Sequence, residues 1–293
     1  MQRRAFLGGL AAMGSPAAPP GGIIDTHTHF YDPARPRGVP WPPKDDPVLY
    51  RTVLPAEFRA LTRPLGVAGT VAIEASPWVE DNAWLLELAA FEPVIVAVVG
   101  HLEAGEPEFR GRLERFARNR LFRGIRLGGP ALAAGLARRA FLTDLERLAD
   151  ADLSLDVLVG PELLPQVATL ARRIPALRIV IDHLPYDVPP RGGLRAFADL
   201  PGVYAKVSGV LRRVDGRVVD DPSYYRGALE DLWNVFGPGR VLYGSNWPVS
   251  DRVAPYGAVL KAVSGFFAAK GAEAADRFFR DNARAAYRWL ARA

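Results

Sequence analysis

The chain of 293 residues contains no cysteine. That excludes disulfides and a lipid-anchored N-terminal cysteine. It also has no run of about 18 consecutive apolar residues, so no segment reads as a membrane span. Histidine is scarce, with four in all, and only four of the 37 basic residues are lysines: Lys44, Lys206, Lys261 and Lys270. The other basic residues are arginines, and pairs such as Arg138-Arg139, Arg172-Arg173 and Arg212-Arg213 are interspersed with acidic residues. A net charge of +5 would suit nucleic acid. No stretch interleaves basic and aromatic side chains as a single-strand binder would, so no nucleic-acid partner is expected. What is present, 49% hydrophobic and 24% charged residues, is average for a folded globular protein and excludes disorder, collagen and coiled coil.

The first twenty residues hold Arg3-Arg4, a short apolar run to Met13, and small residues from Ser15 to Pro20. This pattern predicts a twin-arginine-type signal segment over 1–20 and a periplasmic location, with a cytoplasmic protein as the alternative. Export of a chain already folded in the cytosol agrees with the absence of cysteine.

Eight short β-branched runs follow the leader: Gly22 to His27, Thr70 to Ala75, Val94 to Gly100, Phe122 to Leu127, Leu153 to Val159, Arg178 to His183, Val203 to Ser208 and Arg240 to Ser245. Helical stripes separate them, such as Val79, Ala83, Leu86, Ala90 and Leu163, Val167, Leu170, Ile174, with shorter ones at Phe109, Leu113, Phe116 and Phe141, Leu145, Leu148. Strands apolar on both faces and alternating with helices predict a parallel sheet covered outside by helices. Eight such units make an α/β fold of the TIM (β/α)8 barrel type, a single domain over 21–293. An open nucleotide-binding sheet would place a glycine-rich turn after its first strand, where this chain has His27-Thr28-His29. The Pro-rich segment from Pro33 to Pro47, with Trp41, reads as a lid over the barrel mouth or as a surface excursion.

In such a barrel the chemistry sits where the strands end. Strand alternation puts Asp25, His27 and His29 on one face. An i,i+2 histidine pair beside a carboxylate such as Glu74 suits one divalent metal ion, zinc by preference. His183 ends the sixth run, and His101 follows the third, where it either joins the site or caps a loop. Arg126 and Lys206 point cations at an anionic substrate, or neutralise Glu74 and buried carboxylates such as Asp156. The eighth run leads to Asn246, Trp247 and Asp251, and Trp247 would wall a pocket.

Three stretches, Ile24 to Phe30, Ile181-Asp182-His183-Leu184-Pro185 and Tyr243 to Val249, together resemble the amidohydrolase superfamily. Within it the match is to the amidohydrolase-related group that includes sugar-acid lactonases and pyrone-dicarboxylate lactonases. The resemblance implies a TIM barrel that hydrolyses a lactone, ester or related carboxylic derivative of small size. It also implies metal binding by His27 and His29 and a site role for His183. Asn246 departs from it, because the family carries Asp there and an amide accepts no proton at neutral pH. The expected replacements as water-activating base are Asp25 and Asp251. Two functions follow: a metal-dependent or metal-assisted hydrolase, or a ligand-binding barrel that lost turnover through Asn246.

Overall fold

The computed structural model describes residues 21–184 and 193–292, so the expected leader and Pro185 lie outside it. Eight strands, Ile23–Thr28, Val67–Ile73, Ile95–Gly100, Phe122–Gly128, Ser154–Leu158, Arg178–Leu184, Val203–Val207 and Val241–Tyr243, pair in sequence order, and every pair is parallel. All eight expected runs are strands. The eighth is the shortest because the chain leaves the sheet at Gly244. A Cβ there would sit 2.9 Å from His27 Cβ and 3.1 Å from Ser208 Cβ, so only glycine lets the two edges approach.

The seam between the eighth and first strands is closed by hydrogen bonds from the loop rather than by a ladder. Asn246 N donates to His27 O and His29 N to Trp247 O, each at 2.9 Å. Asp25 completes the closure, accepting from Ser245 N at 2.9 Å, His27 N at 3.0 Å and the Tyr256 hydroxyl at 3.0 Å. The barrel is nearly closed and is surrounded by helices, an α/β TIM barrel.

Outward-facing strand residues such as Ile23, Ala72, Val98 and Ile125 pack against the helices in one continuous core. The helices Phe109–Ala117 and Arg139–Asp150 bury the stripes expected of them, and Leu164–Arg173 buries Val167 and Leu170 of its stripe, with Leu164 in place of the half-buried Leu163. The helix Asp81–Phe91 differs: it buries Asn82, Leu85, Leu86 and Ala89, whereas Ala90 is exposed. Asn82 turns inward because its amide bonds both backbone groups of His101, each at 2.8 Å. Inside the barrel Ile24, Val71, Val180, Tyr204 and Leu242 meet Tyr287 and Trp289 of the C-terminal segment, which seals the floor.

The Pro33–Pro47 segment is held down at several points. Arg35 pairs with Asp81 at 2.6 Å, the Arg37 guanidinium lies 3.8 Å from the Trp78 ring centre, and Asp46 pairs with Arg252. The Trp41 ring rests edge-on against His29 and Tyr31.

Candidate active site

Alternation along the sixth strand sends Val180 and Asp182 into the barrel and Ile179 and Ile181 outward. His183 should then face out, but its left-handed backbone, φ 56°, turns the imidazole in beside Asp182. The first strand holds the opposite surprise. An irregularity between Asp25 and Thr28 leaves Asp25 among the outer groups Tyr243 and Tyr256, while His27 and His29 face inward. The two rings lie 5.0 Å apart, and the His183 ring is 4.4 Å from that of His27.

Beneath these imidazoles lies a buried charge cluster. Lys206 Nζ is 2.6 Å from Asp156 Oδ2, 2.9 Å from Asp182 Oδ1 and 3.3 Å from His27 Nδ1. Arg126 donates to Glu74 Oε1 at 2.7 Å and to Glu74 O at 2.9 Å, and its Nη1 lies 3.9 Å from Asp182 Oδ2. His183 Nδ1 meets the Ser208 hydroxyl at 2.8 Å. His29 Nδ1 lies 3.1 Å from Ile73 O, which only accepts, so the proton is on Nδ1 and the Nε2 lone pair is free.

Burial governs the ionisation of these groups. It pushes His29 down to about 3, helped by the Arg126 charge, and His183 down to about 4, against the opposing pull of Asp182. Burial also holds His27 well below its ordinary value. All three rings are neutral at pH 7. For Asp182 burial alone would raise the pKa, but the Lys206 ammonium holds it well below the carboxylate range. Asp156, by contrast, is raised to about 6 by burial and by the charge of Asp182.

These shifts fix a pH dependence of stability. In the unfolded chain the three imidazoles take up protons near 6.5, but the fold resists this until about 4 at His183 and about 3 at His29. Their contribution is therefore present above pH 6.5 and lost as pH falls through that window. Asp25, raised to about 6 by burial, and Asp156 act in the opposite direction between about 4 and 6, but two carboxyls do not offset three imidazoles. The metal-free protein should lose at least about 1 kcal/mol of unfolding free energy between pH 7 and pH 5, read from urea titrations. Equal midpoints at the two values would show that the imidazoles are not held neutral.

At the C-terminal ends of the strands a cavity of about 450 Å³ is lined by His29, Glu74, His101, Arg126, His183 and Asn246, with Trp41, Leu158 and Val249 as its apolar walls. Six of the expected site residues thus converge, and His27 lies just below them. Four others lie away from the cavity, and Glu74 lines it in a different role; for Lys206 and Glu74 the structure selects the ion-pair alternative. Asp25 is bound into the barrel seam because the irregularity in the first strand reverses its face. Asp251 is on the surface side, 3.6 Å from Arg51. Lys206 is sealed under the cavity and neutralises Asp156 and Asp182 rather than reaching substrate. Trp247 is fully buried between Phe30 and Phe58, and Trp41 takes its place as the wall. Glu74 is committed to Arg126 and to Ser76 N at 2.8 Å, so it does not join His27 and His29 as a ligand set.

Asp182, although part of the sixth-strand motif, was not among the expected site residues. Its signal was the alternation that pairs it with Val180 on the inner face. The correction for Asp25 carries a test of its own. Asp25→Ala leaves three buried donors without their acceptor and should cost about 3 kcal/mol or more of unfolding free energy in urea titrations. A loss below about 1 kcal/mol would return Asp25 to the list of catalytic candidates.

A divalent ion fits one group among the described residues. His27, Asp182 and His183 offer ligand atoms that all lie within 4.8 Å of one another. His27 Nε2 is buried without a hydrogen-bond partner, the Asp182 oxygens meet only the ion pairs with Lys206 and Arg126, and two neutral imidazoles with one carboxylate form a donor set suited to such an ion.

The chain has relatives of known description. The Amidohydrolase family model matches residues 24–289. An L-fucono-1,5-lactonase of Burkholderia ambifaria is 32% identical over 277 residues, covering 89% of this chain and 91% of that protein. A second L-fucono-1,5-lactonase, from Burkholderia multivorans, is 31% identical over 261 residues, covering 82% and 86%. A solved amidohydrolase from Burkholderia multivorans with bound zinc superposes with a TM-score of 0.80 at 27% identity, over 92% of this chain and 99% of that one. The chain therefore belongs to the Amidohydrolase family and is an enzyme, a hydrolase of lactonase-like character.

Proposed function

We propose that this enzyme opens a 1,5-lactone of a sugar acid by attack of water at the barrel mouth. The observation that carries this reading is the convergence of neutral His29 and His183 with the Arg126 guanidinium in one cavity, above an ionised Asp182. The relatives named as L-fucono-1,5-lactonases support the choice of a cyclic ester.

Each side chain then has a task. Arg126, braced by Glu74, presents its remaining N–H groups to the lactone carbonyl and to the oxyanion formed from it. The free lone pair of His29 orients the attacking water. His183 takes the proton from that water and returns it to the ring oxygen as the C–O bond breaks, giving the open hydroxy acid. Ser208 acts on His183 Nδ1 as donor or acceptor, so it holds the ring while the proton moves. Asp182 stabilises the imidazolium that forms. Trp41, Leu158 and Val249 cover the carbon skeleton and exclude water. For the cofactor, the donors suit zinc: a divalent ion held by His27, Asp182 and His183 would supply Lewis acidity toward the carbonyl and would activate water at neutral pH in place of His183, whose remaining ring nitrogen it would occupy.

The test is turnover of a panel of sugar-acid 1,5-lactones, simple lactones and aryl esters, followed by proton release. We expect a kcat of about 1 s⁻¹ or more on at least one sugar-acid lactone. A second reading, a barrel that binds such ligands without turning them over, is favoured by the amide at Asn246. Saturable binding of the lactones with no proton release would select it. We also propose periplasmic export through the Arg3-Arg4 leader. Protein recovered from periplasm should begin near residue 20, and an intact Met1 found only in cytosol would end that idea.

A further inference from the structure

Lys206 stands apart from the cavity, yet it touches the centre of the site. Its three neighbours, Asp156 Oδ2, Asp182 Oδ1 and His27 Nδ1, come from three different strands and surround a group with three N–H bonds. On the floor side Tyr287 donates to the same Asp156 oxygen at 2.8 Å, and its ring centre lies 5.3 Å from the ammonium. Two carboxylate oxygens and an imidazole nitrogen are also the donors that a divalent cation takes.

An ammonium donates and never accepts. At 3.3 Å the ammonium takes the lone pair of His27 Nδ1, while Asp182 Oδ1 lies farther from that nitrogen, at 3.5 Å, so the ring proton is placed on Nε2. That nitrogen is the buried atom left without a hydrogen-bond partner. In this tautomer it has no lone pair for a metal. Lys206 also holds one Asp182 oxygen, so two members of the group His27, Asp182 and His183 are already engaged by a cation of the chain itself.

We propose that Lys206 is the resident cation of the barrel floor: it fills the acceptor set of Asp156, Asp182 and His27, fixes His27 in the Nε2–H form, and so sets a low affinity for a divalent ion at His27, Asp182 and His183. Ion and ammonium compete for the same lone pairs. An ion bound through His27 Nε2 needs the proton on Nδ1, where it would confront the Lys206 N–H, so Lys206 must withdraw before the ion can enter.

The test is calorimetric titration of zinc chloride alone into chelator-treated full-length protein. It reads binding without turnover, so failure of the lactone reading leaves its outcome intact. Lys206→Met should bind zinc about 10²-fold more tightly than wild type, while Lys206→Arg, which keeps the charge, should stay close to wild type. If Lys206→Met folds poorly because Asp156 and Asp182 lose their cation, the double variant D156N/K206M removes one of the two charges and should show the same gain. Adding Asp182→Asn to Lys206→Met should abolish the gain. Nitrogen-15 NMR of the imidazoles should find the His27 proton on Nε2 in wild type and on either nitrogen in Lys206→Met. The proposal is overturned if neither K206M nor D156N/K206M binds zinc more tightly than wild type, if Lys206→Arg gains as much as Lys206→Met, if the gain survives Asp182→Asn, or if wild-type His27 carries its proton on Nδ1.

Discussion

Asp182→Asn should yield a folded protein that binds lactone with KM within about threefold of wild type and turns it over about 10³-fold more slowly. The substitution keeps the shape of the side chain and removes only its charge. That charge is secure in the native protein, because Lys206 at 2.9 Å and Arg126 at 3.9 Å hold the carboxyl ionised in spite of its burial. Its neighbour in sequence, His183, is the ring that must become an imidazolium during proton transfer. The field of Asp182 raises the pKa of that ring against burial. Without it the protonated state gains nothing to offset desolvation, and the barrier rises in the transition state and not in the ground state. The expected signature is thus a fall in kcat with KM nearly unchanged, measured beside an unfolding curve that confirms the fold. A loss below about tenfold would remove Asp182 from the proton path and leave Arg126 and His29 as the main contributors.

The architecture was readable because a closed parallel barrel buries both faces of its strands, and eight β-branched runs separated by apolar stripes have few other solutions. Site residues at strand ends are legible for the same reason: His29, His101 and Arg126 need only follow the strand direction to reach the cavity, whereas His183 and Asn246 reach it through left-handed backbone. The failures share a cause in backbone departures that side-chain periodicity does not record. An irregularity after Asp25 moves that carboxylate into the seam, and the left-handed turn at His183 lets two adjacent residues, Asp182 and His183, share one face. Alternation alone does not decide between substrate and buried carboxylates for Lys206, because distance along the inner face, and not face itself, decides whether a cation reaches the cavity or lies beneath it. Trp41 belongs to a segment whose position depends on contacts far away in sequence, Arg35 with Asp81 and Asp46 with Arg252, so its role as a wall emerges only in three dimensions.

Asn246 stands where the resemblance read from the sequence implies Asp, and its variants should give the second large effect. The residue lines the cavity in a left-handed conformation, φ 62°, which Asn, Asp and Gly adopt readily and Ala does not. Asn246→Ala would therefore mix loss of the amide with backbone strain of about 1–2 kcal/mol, and Asn246→Gly is the cleaner deletion. An amide donates from nitrogen and accepts at oxygen but takes no proton near pH 7, so in this chain it orients substrate and no more. Asn246→Gly should then lower kcat/KM by about tenfold. Asn246→Asp restores a carboxylate at the cavity wall, adds a proton acceptor that His183 no longer has to replace, and should raise kcat by about 10²-fold, the usual weight of a general base. The same variant should bind zinc more tightly, because a charged oxygen joins the donors at the mouth. If Asn246→Asp instead loses as much activity as Asn246→Gly, the amide N–H is itself a donor to the developing oxyanion, and a carboxylate in its place repels that charge.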